Sequence, residues 1–151
     1  MTSLRFLVPA VPVVPVVPVL LLCAVLAASC ADTLPDQDLR ILGAVPVAKM
    51  SADILWQEYQ ADAAAAGERY WGKAVEITGG VTSADSDTID AYVLFGQTEA
   101  YGVRANLLDD QAAAIIDAAR VGERLTVKCF CAGLDGHVIL KSCVLPSLSG
   151  G

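Results

Sequence analysis

The chain has 151 residues, of which 55% are hydrophobic, and its 10 basic and 17 acidic side chains give a net charge of −7. This length suits one domain with a short additional segment. The acidic balance disfavours general nucleic-acid binding, because an acidic surface and a phosphate backbone repel each other.

Residues 1–29 have the order of a secretory signal. Arg5 precedes an apolar stretch over residues 6–28, and small residues stand directly before Cys30. Proline recurs at every third position from Pro9 to Pro18, and each proline removes a helical hydrogen bond. The apolar helix that remains is about ten residues long, short of the ~20 that a spanning helix needs. We therefore predict a cleaved signal peptide rather than a transmembrane anchor.

The sequence Leu26-Ala27-Ala28-Ser29-Cys30 resembles a bacterial lipoprotein box. It predicts that Cys30 receives a lipid and that the protein is exported, anchored in a membrane, and faces the periplasm or the cell exterior. Leucine usually stands three residues before the cysteine, whereas here that position is Ala27. Cleavage by the ordinary signal peptidase, which would release a free secreted protein, is the alternative.

Residues 30–50 are predicted to be a tether between the membrane and a domain. They begin with the polar, proline-containing run DTLPDQD and show no sustained period. A tether of this length could hold a domain some tens of Å from the membrane. Its apolar members are expected to dock on the domain as an extended edge: Ile41, Leu42, Val45 and Val47.

A helix is predicted over the next twenty residues, with Ser51 as its N-cap. Spacings of three and four place one stripe of side chains on a single face: Leu55, Tyr59, Asp62, Ala66 and Tyr70. We interpret Asp62 as a buried carboxylate that accepts backbone hydrogen bonds, since no partner for a catalytic acid lies nearby in the sequence. Trp56 and Trp71 are expected to pack at the edges of the helix.

After Gly72 the period changes from helical to two. Strands are predicted at 74–81, 91–95 and 101–107, followed by a helix at 109–120 and a hairpin of strands at 125–131 and 138–145. Residues 82–90 are predicted to be an acidic loop. Five short strands with a helix between the third and fourth predict an OB-fold, a mainly β five-stranded Greek-key barrel, here preceded by a helix. The domain would span 51–146, with a tail at 147–151.

The chain also resembles the tRNA_anti-like family, bacterial OB-fold domains that often follow signal or lipoprotein sequences. The resemblance covers about residues 51–146 and rests on matched positions throughout: Leu55, Tyr59, Ala66, Tyr70, Gly72, Lys73, Val75, Ile77, Thr78, Gly79, Gly122, Leu125, Val127, Lys128, Cys131, Gly133, Val138, Leu140 and Cys143. Asp62 replaces a common asparagine, and Cys129 replaces an expected glycine. The resemblance implies the fold but no activity, since the family has no established catalytic residues.

Three cysteines belong to the predicted domain: Cys129, Cys131 and Cys143. In an exported protein they should meet oxidising conditions. Cys129 and Cys131 lie two apart on one strand and point to the same face, which disfavours a bond between them. The family pattern implies a Cys131–Cys143 pair, whereas a tight hairpin around Asp135 brings Cys143 nearer to Cys129. We predict a disulfide that includes Cys143 and leave its partner open.

No metal, cofactor or catalytic site is predicted. A zinc site would need the three cysteines and His137, but their spacing is unlike the usual zinc knuckles. The loop acids Asp85, Asp87 and Asp90 lack the glycine and closing glutamate of a calcium loop. No hydrolase or nucleotide-binding motif is present.

The predicted function is therefore binding without catalysis. The candidate ligand face is the outer side of the second and third barrel strands, with Tyr92, Arg104 and Asn106. The partner would be an unknown protein or a small ligand of the cell envelope. An oligonucleotide or oligosaccharide is the alternative ligand. A nucleic-acid face should show a basic groove studded with aromatic side chains, and here only Arg104 supplies charge.

Overall fold

The computed structural model describes residues 33–86, 90–98 and 101–146. The predicted signal, Cys30 and the tail at 147–151 lie outside these ranges. A 3-10 helix covers Leu39–Leu42, and three α-helices follow: α1 Ala52–Ala61, α2 Ala63–Tyr70 and α3 Asp109–Ala118. The strands are β1 Ala48–Ser51, β2 Ala74–Ser86, β3 Ala91–Thr98, β4 Tyr101–Leu107, β5 Arg124–Asp135 and β6 His137–Val144. Within the described ranges, no helix has the length and apolar character needed to span a bilayer.

Five of the strands close into a barrel in the order β2-β3-β4-β6-β5, because β2 also pairs with β5. The β4–β6 pairing is parallel and the other barrel pairings are antiparallel. With α3 between the third and fourth barrel strands, this is the OB-fold topology, and the predicted fold class is confirmed. β1 adds an edge strand parallel to β2.

β2 closes the barrel by changing partners along its length. Its first half pairs with β5 as far as Gly80, and its second half pairs with β3 from Val81 onward. β2 thus extends to Ser86 through residues predicted to be loop, because cross-strand pairing with β3 outweighs their polar composition. Gly79 lies at this change of partner, where an added Cβ would stand 2.9 Å from both Ala52 and Phe95. The glycine therefore lets α1 pack closely on the barrel.

The barrel interior holds the hydrophobic core, and the helices cover it. The predicted strand faces are correct: Val75 and Ile77 point inward from β2, and Val103, Ala105 and Leu107 point inward from β4. Ile115 of α3 is fully buried, and α3 packs against β3, β4 and β6.

The single predicted helix over residues 52–71 is in fact two helices that meet at Asp62. This residue has extended backbone angles, and its carboxylate accepts a hydrogen bond from Ala65 N at 3.0 Å as the N-cap of α2. Asp62 does bond a backbone donor, but it is exposed rather than buried. Ser51 caps α1 as predicted, accepting from Ile54 N. Asp62 belongs to the apolar stripe by spacing, yet its short carboxylate favours a cap.

Residues 33–47, here called the strap, lie against the barrel instead of forming a free tether. Ile41 is fully buried and packs with Phe130, Val144, Ala74 and Leu108 in a second small core. The expected docking of apolar residues is found for Ile41 and for the half-buried Leu42, whereas Val45 and Val47 are exposed. The strap leads directly into β1, so contacts with the barrel also come from residues before the predicted domain boundary at residue 51.

Candidate ligand-binding face

The structure brings the three predicted ligand-face residues together. Tyr92 on β3 lies opposite Asn106 on β4, and Arg104 lies opposite Leu94 in the same antiparallel ladder. Because Val103, Ala105 and Leu107 point into the core, the alternation of the strand directs Arg104 and Asn106 outward. We call Tyr92, Arg104 and Asn106 the β3–β4 face.

Arg104 is held between the other two side chains. Its guanidinium carbon lies 4.1 Å from the centre of the Tyr92 ring, a distance at which the ring's negative face attracts the cation. Its Nε donates to Asn106 Oδ1 at 3.0 Å. These contacts fix the plane of the guanidinium.

The β3–β4 face carries one cation, Arg104. The ion pairs found between described residues do not include Arg104. Asp85, which lies opposite Tyr92 on β2, is exposed and accepts from the backbone of Ser86. A planar guanidinium suits a carboxylate or phosphate group, which it can bind through two hydrogen bonds.

A groove of about 440 Å³ lies near the other end of the β3–β4 hairpin. Asp53, Trp56 and Gln57 of α1 line one wall, and Thr98 and Tyr101 of the hairpin line the other. The rings of Trp56 and Tyr101 are 6.3 Å apart and tilted by 50°. Tyr101 is 64% exposed, so the groove offers aromatic surface beside polar groups.

Two glycines make the floor of this groove. Gly96 and Gly102 both have φ near +145°, and a Cβ on Gly102 would overlap the carbonyl oxygen of Phe95. Glycine is required where two backbones approach this closely. Trp56 packs against the core at the edge of α1, as predicted, and its ring also lines the groove. Its position beside the core stripe, one residue after Leu55, was the available signal that it borders a surface.

The disulfide joins Cys129 to Cys143, with the Cα atoms 4.3 Å apart. This is the pair favoured by the hairpin argument and not the pair that the family pattern implies. The β5–β6 turn is centred on Gly136, where Asp135 lies opposite His137. Register shifts beyond this turn bring Cys143 across from the Cys129 region.

Cys131 is a buried free thiol. It shares a hydrogen bond with the hydroxyl of Tyr59 at 3.2 Å. Burial raises the pKa of the Cys131 thiol and, together with that hydrogen bond, the pKa of the Tyr59 hydroxyl. Both groups therefore stay protonated at neutral pH inside the core, which suits packing rather than reaction.

The cysteines do not form the zinc site considered from the sequence. The disulfide consumes two of the three thiols, and a disulfide sulfur is not the thiolate that zinc requires. In the ranges that the structure describes, no cluster of three or more potential ligands is found. His137 has intrachain interactions. Of the loop acids, Asp87 lies outside the described residues.

Two buried polar residues of the barrel, Ser142 on β6 and Lys128 on β5, hold the strap, and sequence reasoning missed this role. Ser142 is fully buried with φ of 55°; its hydroxyl accepts from Asp38 N and donates to Asp36 O. Lys128 is 4% exposed and donates to the carbonyls of Leu42 and Ala44, and burial lowers its pKa. The bonded residues lie more than 80 residues apart in the chain. No local sequence pattern therefore predicts these hydrogen bonds.

The closed five-stranded barrel, with α3 between its third and fourth strands, defines an OB-fold. The profile of the tRNA_anti-like family matches residues 1–144, and the chain belongs to this family. A crystal structure from Klebsiella pneumoniae subsp. pneumoniae MGH 78578, described as a "putative nucleic acid-binding lipoprotein", is similar at 17% identity and a TM-score of 0.46. The similarity covers 72% of this chain and 94% of that one. Comparison with curated proteins finds no match.

Proposed function

We propose that the protein is an exported, lipid-anchored binding module of the bacterial cell envelope that performs no catalytic step. Its β3–β4 face binds an anionic group of a protein partner or of a small envelope ligand. The observation that carries this proposal is the Arg104 guanidinium, held in a fixed orientation by Tyr92 and Asn106.

The orientation of Arg104 favours specific recognition over general attraction. Arginine has a flexible side chain, and ordering it on binding costs free energy. The Tyr92 ring and the Asn106 amide already restrict it in the free protein. A carboxylate or phosphate that approaches the face therefore meets donors in a fixed plane, with a lower entropic cost.

Export is supported by the order of residues 1–30 and by the disulfide. A Cys129–Cys143 disulfide is the kind of cross-link that persists in oxidising compartments such as the periplasm. Binding rather than catalysis is supported by the positions of the titratable groups with altered pKa. Tyr59 and Cys131 are enclosed in the core, and Asp38 is engaged by Arg40 in the strap; none of them belongs to the β3–β4 face.

The test is affinity capture from envelope extracts with quantitative mass spectrometry of retained proteins and small molecules. We expect a partner that the wild type captures, and we expect Arg104→Ala to lower the captured amount of that partner at least tenfold. Arg104→Lys should also lose it, because lysine has no planar fork. Tyr92→Phe should retain it, because the ring face remains.

Arg120→Ala is the matched control, since Arg120 is an exposed arginine beyond α3 and away from the β3–β4 face. Equal capture by wild type, Arg104→Ala and Arg120→Ala would contradict the proposed site. Intact-mass analysis of the same membrane-derived protein tests the anchor. A chain that begins at an unmodified Asp32 would contradict lipidation.

Oligosaccharide binding in the groove is a second candidate function. The observation that favours it is the pairing of Trp56 and Tyr101 beside the polar side chains of Asp53, Gln57 and Thr98. Such a site could stack a sugar ring and bond its hydroxyls. Titration with soluble peptidoglycan fragments should shift the Trp56 emission; no shift at millimolar fragment would exclude this candidate. Oligonucleotide binding has less support, because the β3–β4 face has only one cation.

A further inference from the structure

The groove between α1 and the β3–β4 hairpin carries a charge opposite to that of the β3–β4 face. Among the described residues that line it, Asp53 is the one acidic or basic side chain. Asp53 is exposed, and the ion pairs found between described residues do not include it. The groove therefore offers a carboxylate to a ligand, whereas the β3–β4 face offers the Arg104 guanidinium.

Helical spacing places the polar and aromatic groups of α1 on one wall of the groove. Trp56 and Gln57 follow Asp53 by three and four residues, so their Cβ atoms lie about 5–6 Å from that of Asp53. Thr98 and Tyr101 belong to the opposite wall. A carboxylate, an amide, a hydroxyl and two aromatic rings thus border a space of about 440 Å³, a volume within the range of small-molecule sites.

The two aromatic rings of the groove can attract a cation. The centroids of Trp56 and Tyr101 are 6.3 Å apart, so one positive group beside the pair can lie within ~6 Å of both, the range of cation–π attraction. Trp56 packs against the core, which holds this wall in place. Asp53 lies one helical turn from Trp56 on the same wall, so its carboxylate can pair with the same positive group.

A neutral sugar in the groove would leave Asp53 without a partner. Stacking on the rings and hydrogen bonds to Gln57 and Thr98 would suffice for such a ligand. A sugar with a protonated amino group uses every polar side chain of the two walls. Its ring stacks, its hydroxyls bond the amide and the hydroxyl, and its ammonium group forms a charge-assisted hydrogen bond with Asp53.

We propose that the groove recognises an amino sugar whose amine is protonated, and that Asp53 selects the positive charge. This inference deepens the second candidate function, because it rests on sugar binding in the groove, and it is independent of the β3–β4 face. The net charge of −7 attracts cations to the whole surface. The selectivity comes instead from a carboxylate and two aromatic rings that border one space.

A matched pair of ligands measures this selectivity. The glucosamine trimer has a free amine on each ring, and the N-acetylglucosamine trimer has the same rings with each amine acylated and neutral. The protein is labelled with nitrogen-15 in the form that cells produce, and each trimer is titrated in mildly acidic buffer, in which the amines are protonated. NMR follows the indole N–H signals of the two tryptophans, and Trp56→Phe identifies the Trp56 signal. We expect the glucosamine trimer to shift the Trp56 signal with at least tenfold higher affinity than the N-acetylglucosamine trimer, and to leave the Trp71 signal unchanged.

Asp110→Asn is the matched control for Asp53→Asn. Each aspartate is exposed and is the second residue of its helix, so both variants lose one negative charge at the same helical position. Asp53→Asn should reduce the preference for the glucosamine trimer to less than twofold, whereas Asp53→Glu, which keeps the charge, should retain it. Asp110→Asn should leave the preference unchanged. Arg104→Ala should also leave it unchanged, which separates this test from that of the β3–β4 face.

Equal affinity for the two trimers would overturn the selection of an amino sugar and leave the groove as a general sugar site. Absence of any Trp56 shift at millimolar trimer would overturn sugar binding in the groove together with this inference. A preference that survives Asp53→Asn, or that Asp110→Asn removes to the same extent, would contradict the role of Asp53. Propylammonium that binds as tightly as the glucosamine trimer would also contradict the proposal, because the sugar ring would then contribute nothing.

Discussion

Single residues determine both the candidate site and the tight packing of the barrel. Arg104 would be an ordinary exposed arginine without the Tyr92 ring beneath it and the Asn106 oxygen beside it. Gly79 occupies a position where one methyl group would meet two side chains. In each case, a neighbour on another strand or helix gives the residue its role.

Substitution of the neighbouring residues Gly79 and Gly80 tests how closely α1 packs on the barrel. Gly79→Ala should lower the free energy of unfolding by about 1–3 kcal/mol, as overpacking of a filled core does, because its Cβ would stand 2.9 Å from Ala52 and Phe95. Gly80→Ala should have little effect, since nothing lies within 4 Å of its Cβ position. Urea unfolding of both variants tests this. Equal effects would contradict the close approach of α1 to β2.

The disulfide should contribute measurably to stability. Cys143→Ser opens a loop with a sequence separation of 14, and loss of a cross-link of this size costs about 3 kcal/mol. A reductant should lower the unfolding midpoint of the wild type and leave that of Cys143→Ser unchanged. Cys131→Ala is the control, because Cys131 is outside the disulfide, and it should keep the response to reductant. A wild type indifferent to reductant would refute the Cys129–Cys143 pairing.

At the scale of elements, the strap shows what the sequence can and cannot predict. The alternation of apolar and polar residues, together with the turn residues, was sufficient to predict the barrel strands, since each strand has a buried face with a period of two. The strap has no such period. Its hydrogen bonds reach Ser142, 104 residues away from Asp38, and its fully buried apolar residue is Ile41.

The candidate site was predictable for the same reason that the strands were. Tyr92, Arg104 and Asn106 could be placed on one outer face from the strand alternation, but their mutual contacts depend on the register between β3 and β4. The groove was not predictable, because it forms where α1 meets the hairpin across two glycines. Such an approach between distant elements has no local signal.

The attachment of the strap should depend on pH through Asp38. Its carboxylate bonds the Arg40 side chain and backbone, which lowers the pKa of Asp38 below its ordinary value. A carboxyl group with a lowered folded pKa stabilises the fold above its unfolded pKa and loses that effect as the pH falls through the folded pKa. The stability contributed by Asp38 should therefore be full at pH 7 and vanish in acid.

Comparison of the wild type with Arg40→Gln isolates this effect. The wild type should be the more stable of the two at pH 7 by urea unfolding, and the difference should shrink toward zero as Asp38 becomes protonated below about pH 4. Arg69→Gln is a control, since Arg69 pairs with Glu58 away from the strap. A difference between wild type and Arg40→Gln that grows in acid would contradict the assigned ion pair.

At the scale of the whole molecule, different surfaces of the barrel have different contacts. The strap lies against β5 and β6. The β3–β4 face presents one oriented cation on an otherwise acidic chain. An acidic surface discourages indiscriminate binding to polyanions, so the single arginine would act on a partner that is held close.

Photo-crosslinking on living cells tests the central claim most directly, namely that the β3–β4 face of the membrane-attached protein is its binding surface. A photoreactive phenylalanine analogue replaces Tyr92, which keeps an aromatic ring beneath Arg104, or replaces Val121 as an exposed control. Intact-mass analysis detects both protein and small-molecule adducts. We predict a defined adduct from position 92 that Arg104→Ala abolishes and none from position 121. The same adducts from both positions, or an adduct at position 92 that survives Arg104→Ala, would contradict the account.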